Sequence, residues 1–128
     1  MDLVPEQKLA EIVNASDVVL CVYSGKDPNN KFALPQKMFQ AMACGVPFIG
    51  NRNLPLMRSI TEKYDCGLLC GEDPSSVLDA ILTLYRNPVL RDRLSRNGRL
   101  AVEKTYNWER MSETIVQSYQ SLDSCRVR

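Results

Sequence analysis

The sequence predicts an α/β fold built on a parallel sheet of about three strands. Three short apolar runs, at 17–23, 46–50 and 66–70, alternate with helical patterns, and three helical segments follow the last run. Strands that are apolar throughout are typical of a sheet covered on both faces, and alternation with helices favours parallel strands joined by right-handed crossovers. At 128 residues the chain has the length of one domain, which we predict over 1–128.

The predicted helices are recognised by their boundaries. Each begins at a proline or a capping side chain: Pro5, Pro35, Pro55, Asp73 with Pro74, Asn87 with Pro88, and Asn107. Gly45 ends the second helix, and the polar segment 24–34 before that helix predicts a loop. The last helix carries an apolar stripe that begins at Trp108, a side chain we predict to lie in the core.

The first predicted strand would have an open edge, because a half sheet leaves it without a neighbour on one side. The last helix likewise has no further sheet to cover. Both features indicate that the pattern is half of a doubly wound sheet.

Composition excludes several classes of function. A net charge of +1 predicts no nucleic-acid partner. The chain has no histidine, which removes Ser/His and Cys/His nucleophile pairs and the commonest metal ligand, so we predict no metal site. Four of the five cysteines lie in or beside apolar runs and predict buried thiols in a reducing, cytoplasmic compartment. No apolar run approaches the roughly 20 residues that a membrane span needs.

A basic segment coincides with the place where such folds bind ligands. From Pro28 to Thr61 there is no Asp or Glu, whereas four residues are basic: Lys31, Lys37, Arg52 and Arg58. The segment includes the loop after the first strand and the start of the next helix, where free N–H groups accept phosphate oxygens. A lysine in that first turn opposes the helix dipole, which suggests a bound anion nearby.

Lys37 and Gln40 are three residues apart and therefore share a helix face. Lys37 can reach a phosphate at the helix start, and Gln40 offers an amide to sugar hydroxyls. The alternative is that both belong to the solvent-facing stripe of an otherwise buried helix.

Other charged residues have simpler interpretations. Four arginines crowd one helix, where they could contact anionic lipid or form a solvated face: Arg91, Arg93, Arg96 and Arg99. The Asp92/Arg96 spacing favours the solvated face. Asp27, the acid of the first loop, is a weak candidate for a catalytic acid or base, and Asp73 is predicted to be a helix cap.

Several segments occur in a characteristic order: KFALPQKMFQAMACGVPFIG, LPLMRSI, YDCGLL, EDP, NPVLRDRLSRNGR and YNWE. This order resembles the C-terminal half of group 1 glycosyltransferases with the GT-B fold, from Leu3 to about Tyr119. The resemblance implies a partial Rossmann-like, three-layer α/β/α domain that binds a nucleotide-diphospho-sugar, UDP- or GDP-linked, without a metal or other cofactor. Such enzymes act in glycan or polysaccharide synthesis, mostly with retention of configuration.

The resemblance also implies that parts of the enzyme are missing from this chain. In that family the donor-binding domain has six strands and faces an N-terminal acceptor domain across a cleft. Only the last three strands are recognised here, so we expect this chain alone to bind nucleotide weakly and to be inactive.

Roles of individual residues follow from the same resemblance. Ala33, Leu34 and Pro35 would face the diphosphate and sugar, and Lys37 would be the catalytic residue that neutralises charge as the nucleotide leaves. Gln40 stands where the family usually has a glutamate that binds the ribose.

Two further assignments concern the ends of the donor. Val4 and Pro5 would lie near the nucleobase. The first glutamate of the family's Glu-x7-Glu pattern, a contact to the donor sugar, falls on Phe32, and the second falls on Gln40, so neither acid is present. Loss of the carboxylate beside the sugar favours an anionic donor sugar such as a uronic acid.

Two other classes of function remain open. The chain could be a non-catalytic module that senses a nucleotide sugar or docks a subunit, or a scaffold that self-associates through its open edge strand and last helix. Contact with the inner face of a membrane is a further expectation.

Overall fold

The computed structural model describes residues 4–125, apart from the side chains of residues 6, 31 and 123–125. Within that range it contains three strands and seven helices, which confirms the predicted fold class. The elements in chain order are α1 (Glu6–Asn14), β1 (Val19–Cys21), α2 (Pro28–Lys31), α3 (Gln36–Cys44), β2 (Phe48–Asn51), α4 (Pro55–Tyr64), β3 (Gly67–Cys70), α5 (Pro74–Arg86), α6 (Pro88–Lys104) and α7 (Trp108–Cys125).

The sheet is parallel, in the order β1-β2-β3. Phe48 on the central strand is in register with Val19 on one side and Gly67 on the other. β1 therefore lies at an edge, as predicted, and Leu20 at its centre remains 47% exposed. The crossover helices α3 and α4 connect neighbouring parallel strands, which is the βαβ arrangement expected for this order.

Successive residues of a strand contribute to two separate hydrophobic cores, one on each face of the sheet. Phe48 belongs to the cluster that packs under α3 and α4, and Ile49 belongs to the cluster under α5. α6 contributes Ala101 to the first cluster and Leu94 to the second, and it also contacts β3. Because successive strand residues point to opposite faces, α6 must pass the β3 edge to reach both.

The cysteines of the sheet are buried thiols, as predicted. Burial raises the pKa of Cys21 to about 11 and that of Cys66 to about 12, and it also raises the pKa of Cys70. Cys44 is only half-buried, and these four thiols are not in disulfides. The side chain of Cys125 lies outside the described residues.

The segment between β1 and α3 is not simply a loop. Pro28–Lys31 forms the short helix α2, with Asp27 as its cap accepting a hydrogen bond from the Asn29 N–H at 2.9 Å. Asp27 followed by Pro28 is a capping residue and a first-turn proline, the signal that the polar composition concealed.

The prediction that Trp108 lies in the core is wrong, because its side chain is 73% exposed. The apolar periodicity does form a helix, but α7 presents most of that stripe to solvent: Met111, Ile115, Tyr119 and Leu122 are all exposed. α7 makes no extensive contact with any other helix or strand described in residues 4–125. Periodicity thus predicted the helix correctly but not what its apolar face contacts.

Candidate functional site

The candidate site lies at the carboxyl edge of the sheet, where each strand is followed by a helix. α3, α4 and α5 all begin there, after β1, β2 and β3 respectively. In open α/β sheets ligands bind in this position, and the N–H groups of the helix starts point toward them.

Neither the residue before α3 nor the first turn of this helix has a side chain that neutralises the positive end of the helix dipole. Pro35, which is buried, precedes the helix with φ −66° and ψ 125°; it supplies no side-chain hydrogen bond, and the first turn contains no acid. Lys37, in that turn, is exposed and forms no ion pair with any side chain described between residues 4 and 125. Its charge lowers the pKa of the Cys21 thiol, against the larger effect of burial.

Gln40 lies one turn further along α3, between the exposed and the buried faces. Its side chain is half-buried, whereas Met38, Ala41 and Met42 are fully buried. We find no hydrogen bond from the Gln40 amide to another described residue, so both its donor and its acceptor are available to a ligand.

The remaining predicted contacts lie at the ends of two helices. Ala33 is half-buried and its N–H donates to the Asn30 carbonyl at 3.0 Å, while Leu34 is exposed. Val4 and Pro5 are exposed at the start of α1, which packs against α3.

The basic segment is only partly available to an anion. Arg52 donates through Nη2 to the Leu69 carbonyl at 3.0 Å, and Arg58 is exposed on α4. The side chain of Lys31 lies outside the described residues. Lys37 therefore is the basic group whose placement best matches the predicted anion site.

Two side chains that join the loops after the strands, Asn51 and Glu72, were not predicted from the sequence. Asn51, fully buried at the end of β2, accepts from the Tyr23 N–H at 2.6 Å and donates from Nδ2 to the Tyr23 carbonyl at 3.0 Å. Glu72 Oε1 accepts from the Gly25 N–H at 2.9 Å and from the Asn53 side-chain amide. The sequence did contain a signal for the hydrogen bonds of Asn51: an asparagine at the end of a buried strand needs hydrogen-bond partners.

The two aspartates singled out in the sequence are helix caps. Asp27 caps α2, which occupies its carboxylate and leaves the interpretation as a catalytic acid without support. Asp73 caps α5, as predicted: hydrogen bonds from the Ser75 hydroxyl, at 2.6 Å, and the Ser76 N–H, at 2.8 Å, hold the pKa of its carboxyl below the usual value.

The four arginines of α6 all have partners within the protein. Arg91 donates to the Leu84 carbonyl at 2.8 Å, and Arg93 pairs with Asp65 at 3.1 Å. Arg99 pairs with Glu103 at 2.7 Å and also bonds the Ala43 carbonyl; Arg96 donates to the Asp92 backbone. Contact with anionic lipid stays a prediction. None of the helices described in residues 4–125 combines the length and apolar character needed to cross a bilayer.

Comparison with known proteins gives consistent matches. A family model described as glycosyl transferase-like matches residues 2–117. The N-acetyl-alpha-D-glucosaminyl L-malate synthase of Bacillus anthracis is 31% identical over 120 residues, which are 91% of this chain and 28% of that protein. The phosphatidyl-myo-inositol mannosyltransferase of Mycobacterium leprae (strain TN) is 30% identical over 86 residues, 66% of this chain and 22% of that protein.

A solved structure matches over nearly the whole chain. Sucrose-phosphate synthase from Thermosynechococcus elongatus superposes with a TM-score of 0.77 and 25% identity, over 98% of this chain and 30% of that one. The chain thus spans between about a fifth and a third of the length of these relatives.

Proposed function

Because this chain belongs to the glycosyl transferase-like family, we propose that it is the donor-binding part of a glycosyltransferase and holds a nucleotide-diphospho-sugar at the carboxyl edge of its sheet. The membership confirms the resemblance predicted from the sequence. The observation that carries the proposal is the start of α3, where exposed Lys37 forms no ion pair with any acid whose side chain is described and Pro35 leaves the helix end without a side-chain cap.

The proposed mechanism is electrostatic. The N–H groups at the start of α3 and the Lys37 ammonium bind the diphosphate, and both become more effective as negative charge develops on it when the glycosidic bond breaks. No proton moves through Lys37 in this scheme. Ala33, Leu34 and Pro35, which lead the chain into the helix, contact the diphosphate and sugar.

The remaining contacts decide which donor is bound. The Gln40 amide bonds the ribose hydroxyls, and Val4 and Pro5 lie near a uracil or guanine base. Phe32 stands where the family has the acid that contacts the donor sugar, so the site lacks a carboxylate that would repel an anionic sugar. This absence supports a uronic acid as the sugar of the donor.

Removing the charge of Lys37 tests the proposal by calorimetry on this chain. Lys37→Met is expected to weaken binding of UDP-linked or GDP-linked sugars by about ten- to a hundredfold, the equivalent of one hydrogen bond to a charged group. The difference from the wild type is expected to shrink at high salt. The matched control is Lys104→Met, at an exposed lysine at the end of α6.

The same titrations distinguish the alternatives. Equal affinities for the two variants would exclude Lys37 from the site, and no binding of any nucleotide sugar by the wild type would contradict the proposal itself. UDP-glucuronic acid is expected to bind more tightly than UDP-glucose, and the reverse order would reject the anionic sugar.

The second candidate function, a docking or self-associating module, is favoured by the open side of β1. Beside that strand lies a groove of about 500 Å³ lined by Asp17, Val18, Ile81, Leu84, Tyr85 and Arg91. Light scattering with and without UDP or GDP tests it. The proposed donor site predicts a monomer or a nucleotide-sensitive assembly, whereas oligomers indifferent to both nucleotides would favour a scaffold.

A further inference from the structure

One side chain connects the three loops at the carboxyl edge. Glu72, which follows β3, accepts the Gly25 N–H from the loop after β1 at 2.9 Å and the side-chain amide of Asn53 from the loop after β2. Both donors bond the same oxygen, Oε1. These contacts link positions 19 and 47 residues apart in sequence.

The loop after β1 is internally bonded and can therefore move as a unit. Asn30 donates from Nδ2 to the Ser24 carbonyl at 2.9 Å, and Asp27 caps α2. The Ala33 N–H then donates to the Asn30 carbonyl at 3.0 Å. A constraint applied at Gly25 is thus carried to Ala33, the residue that leads into α3.

Hydrogen bonds at Tyr23 and at Gly25 hold the start of that unit to the rest of the domain. The Tyr23–Asn51 pair holds the chain just after the end of β1, directly before Ser24. Glu72 supplies the next contact along the chain, at Gly25. Glu72 is exposed and forms no ion pair within the described part of the chain, so its contacts are directed at the loop rather than at another charge.

The geometry points to Glu72 as a positioning residue that sets where the β1–α3 loop, and with it Ala33 and Leu34, lies relative to the start of α3. Its consequence for ligand binding rests on the donor site proposed above. Glu72 touches neither Lys37 nor Gln40 in this scheme. It acts through the loop.

A substitution at Gly25 can disturb the hydrogen bond between Gly25 and Glu72 without changing Glu72 itself. A Cβ built on Gly25 would overlap the Glu72 carboxylate and the Asn53 amide. The backbone of Gly25 does not adopt positive φ, so alanine there adds the methyl group without a strained conformation. Gly25→Ala should therefore displace the carboxylate while leaving Glu72 in the sequence.

Hydrogen exchange measured by mass spectrometry tests the inference on the whole chain. In Glu72→Ala and in Gly25→Ala, exchange of peptides covering residues 24–34 is expected to rise about ten- to a hundredfold, the ratio equivalent to one hydrogen bond to a charged acceptor. Glu72→Gln is expected to restore protection, because its amide oxygen can still accept both hydrogen bonds. Glu62→Ala, at an exposed glutamate on α4, is the matched control and should leave residues 24–34 unchanged.

Calorimetry with UDP-glucose, UDP-glucuronic acid and GDP-mannose forms the second measurement. The variants that free the loop are expected to bind the donor several-fold more weakly than Glu72→Gln and Glu62→Ala. If the wild type binds none of these donors, the proposed function fails while the exchange result still decides the role of Glu72. Unchanged exchange of residues 24–34 in Glu72→Ala would overturn the inference whatever the binding result.

Discussion

Replacing Phe48 with alanine is expected to lower the free energy of unfolding by about 3–5 kcal/mol, the usual cost of removing a buried aromatic ring. Phe48 is fully buried at the centre of the sheet, and its ring packs closely over Gly67, where even a Cβ would overlap it. The neighbouring strands cannot collapse into the space that the ring leaves, because their backbones are fixed by the parallel ladder. Urea unfolding followed by circular dichroism measures the loss.

A surface aromatic provides the control for that experiment. Tyr119→Ala removes a ring that is 69% exposed on α7 and is expected to change the free energy of unfolding by no more than about 0.5 kcal/mol. Phe48→Leu should lie between the two, since it retains part of the volume. A loss below about 1 kcal/mol for Phe48→Ala would contradict the packing described for the central strand.

Asn51→Leu is expected to have the second largest effect, although leucine has the same branched arrangement of side-chain heavy atoms as asparagine. The substitution leaves the Tyr23 N–H and carbonyl without their partner, at a cost of about 1–3 kcal/mol for each buried group that stays unsatisfied. Urea unfolding measures the loss of stability, and hydrogen exchange at the Tyr23 amide should increase in parallel.

The control separates this effect from a general intolerance of leucine. Asn14→Leu, at the exposed end of α1, is expected to change stability by no more than about 0.5 kcal/mol. If Asn51→Leu proves equally neutral, water or a local rearrangement must satisfy the Tyr23 peptide groups, and Asn51 does not hold the end of β1.

The helices and strands that the sequence predicted best are those with local signals at both ends. Pro35 and Gly45 delimit α3 within one residue, with Gly45 at φ 66°, and Asp73 caps α5 through the Ser76 N–H. Strand lengths were less predictable: β1 occupies three residues of the apolar run 17–23, because only Val19–Cys21 pair with β2.

The environment of a helix face could not be predicted from periodicity alone. The stripes of α5 and α7 are both amphipathic, yet Leu84 is fully buried and Trp108 is exposed. α5 packs against β2 and β3, whereas α7 has no comparable contact with another helix or strand in the described part of the chain. The stripe of a helix does not state which elements the helix packs against.

In the candidate site, too, features within one helix could be predicted from the sequence, whereas contacts between distant segments could not. Lys37 and Gln40 were predicted to share a face because their spacing is a property of one helix. The contacts of Asn51 and Glu72 join residues 28 and 47 positions apart, and they exist only once the strands have taken their register. Glu72 also shows that a segment without acids in sequence can have a carboxylate beside it in the fold.

Because of the path of α6, a further strand can be added to the sheet on one side only. Since α6 reaches both cores around β3, and Arg52 bonds the outward-facing Leu69 carbonyl, the far side of β3 is closed to a further strand. Any fourth strand, from the same polypeptide or another, must hydrogen-bond to β1 and should be apolar on both faces. Cross-linking or insertion experiments that add a strand can therefore be confined to that side of the protein.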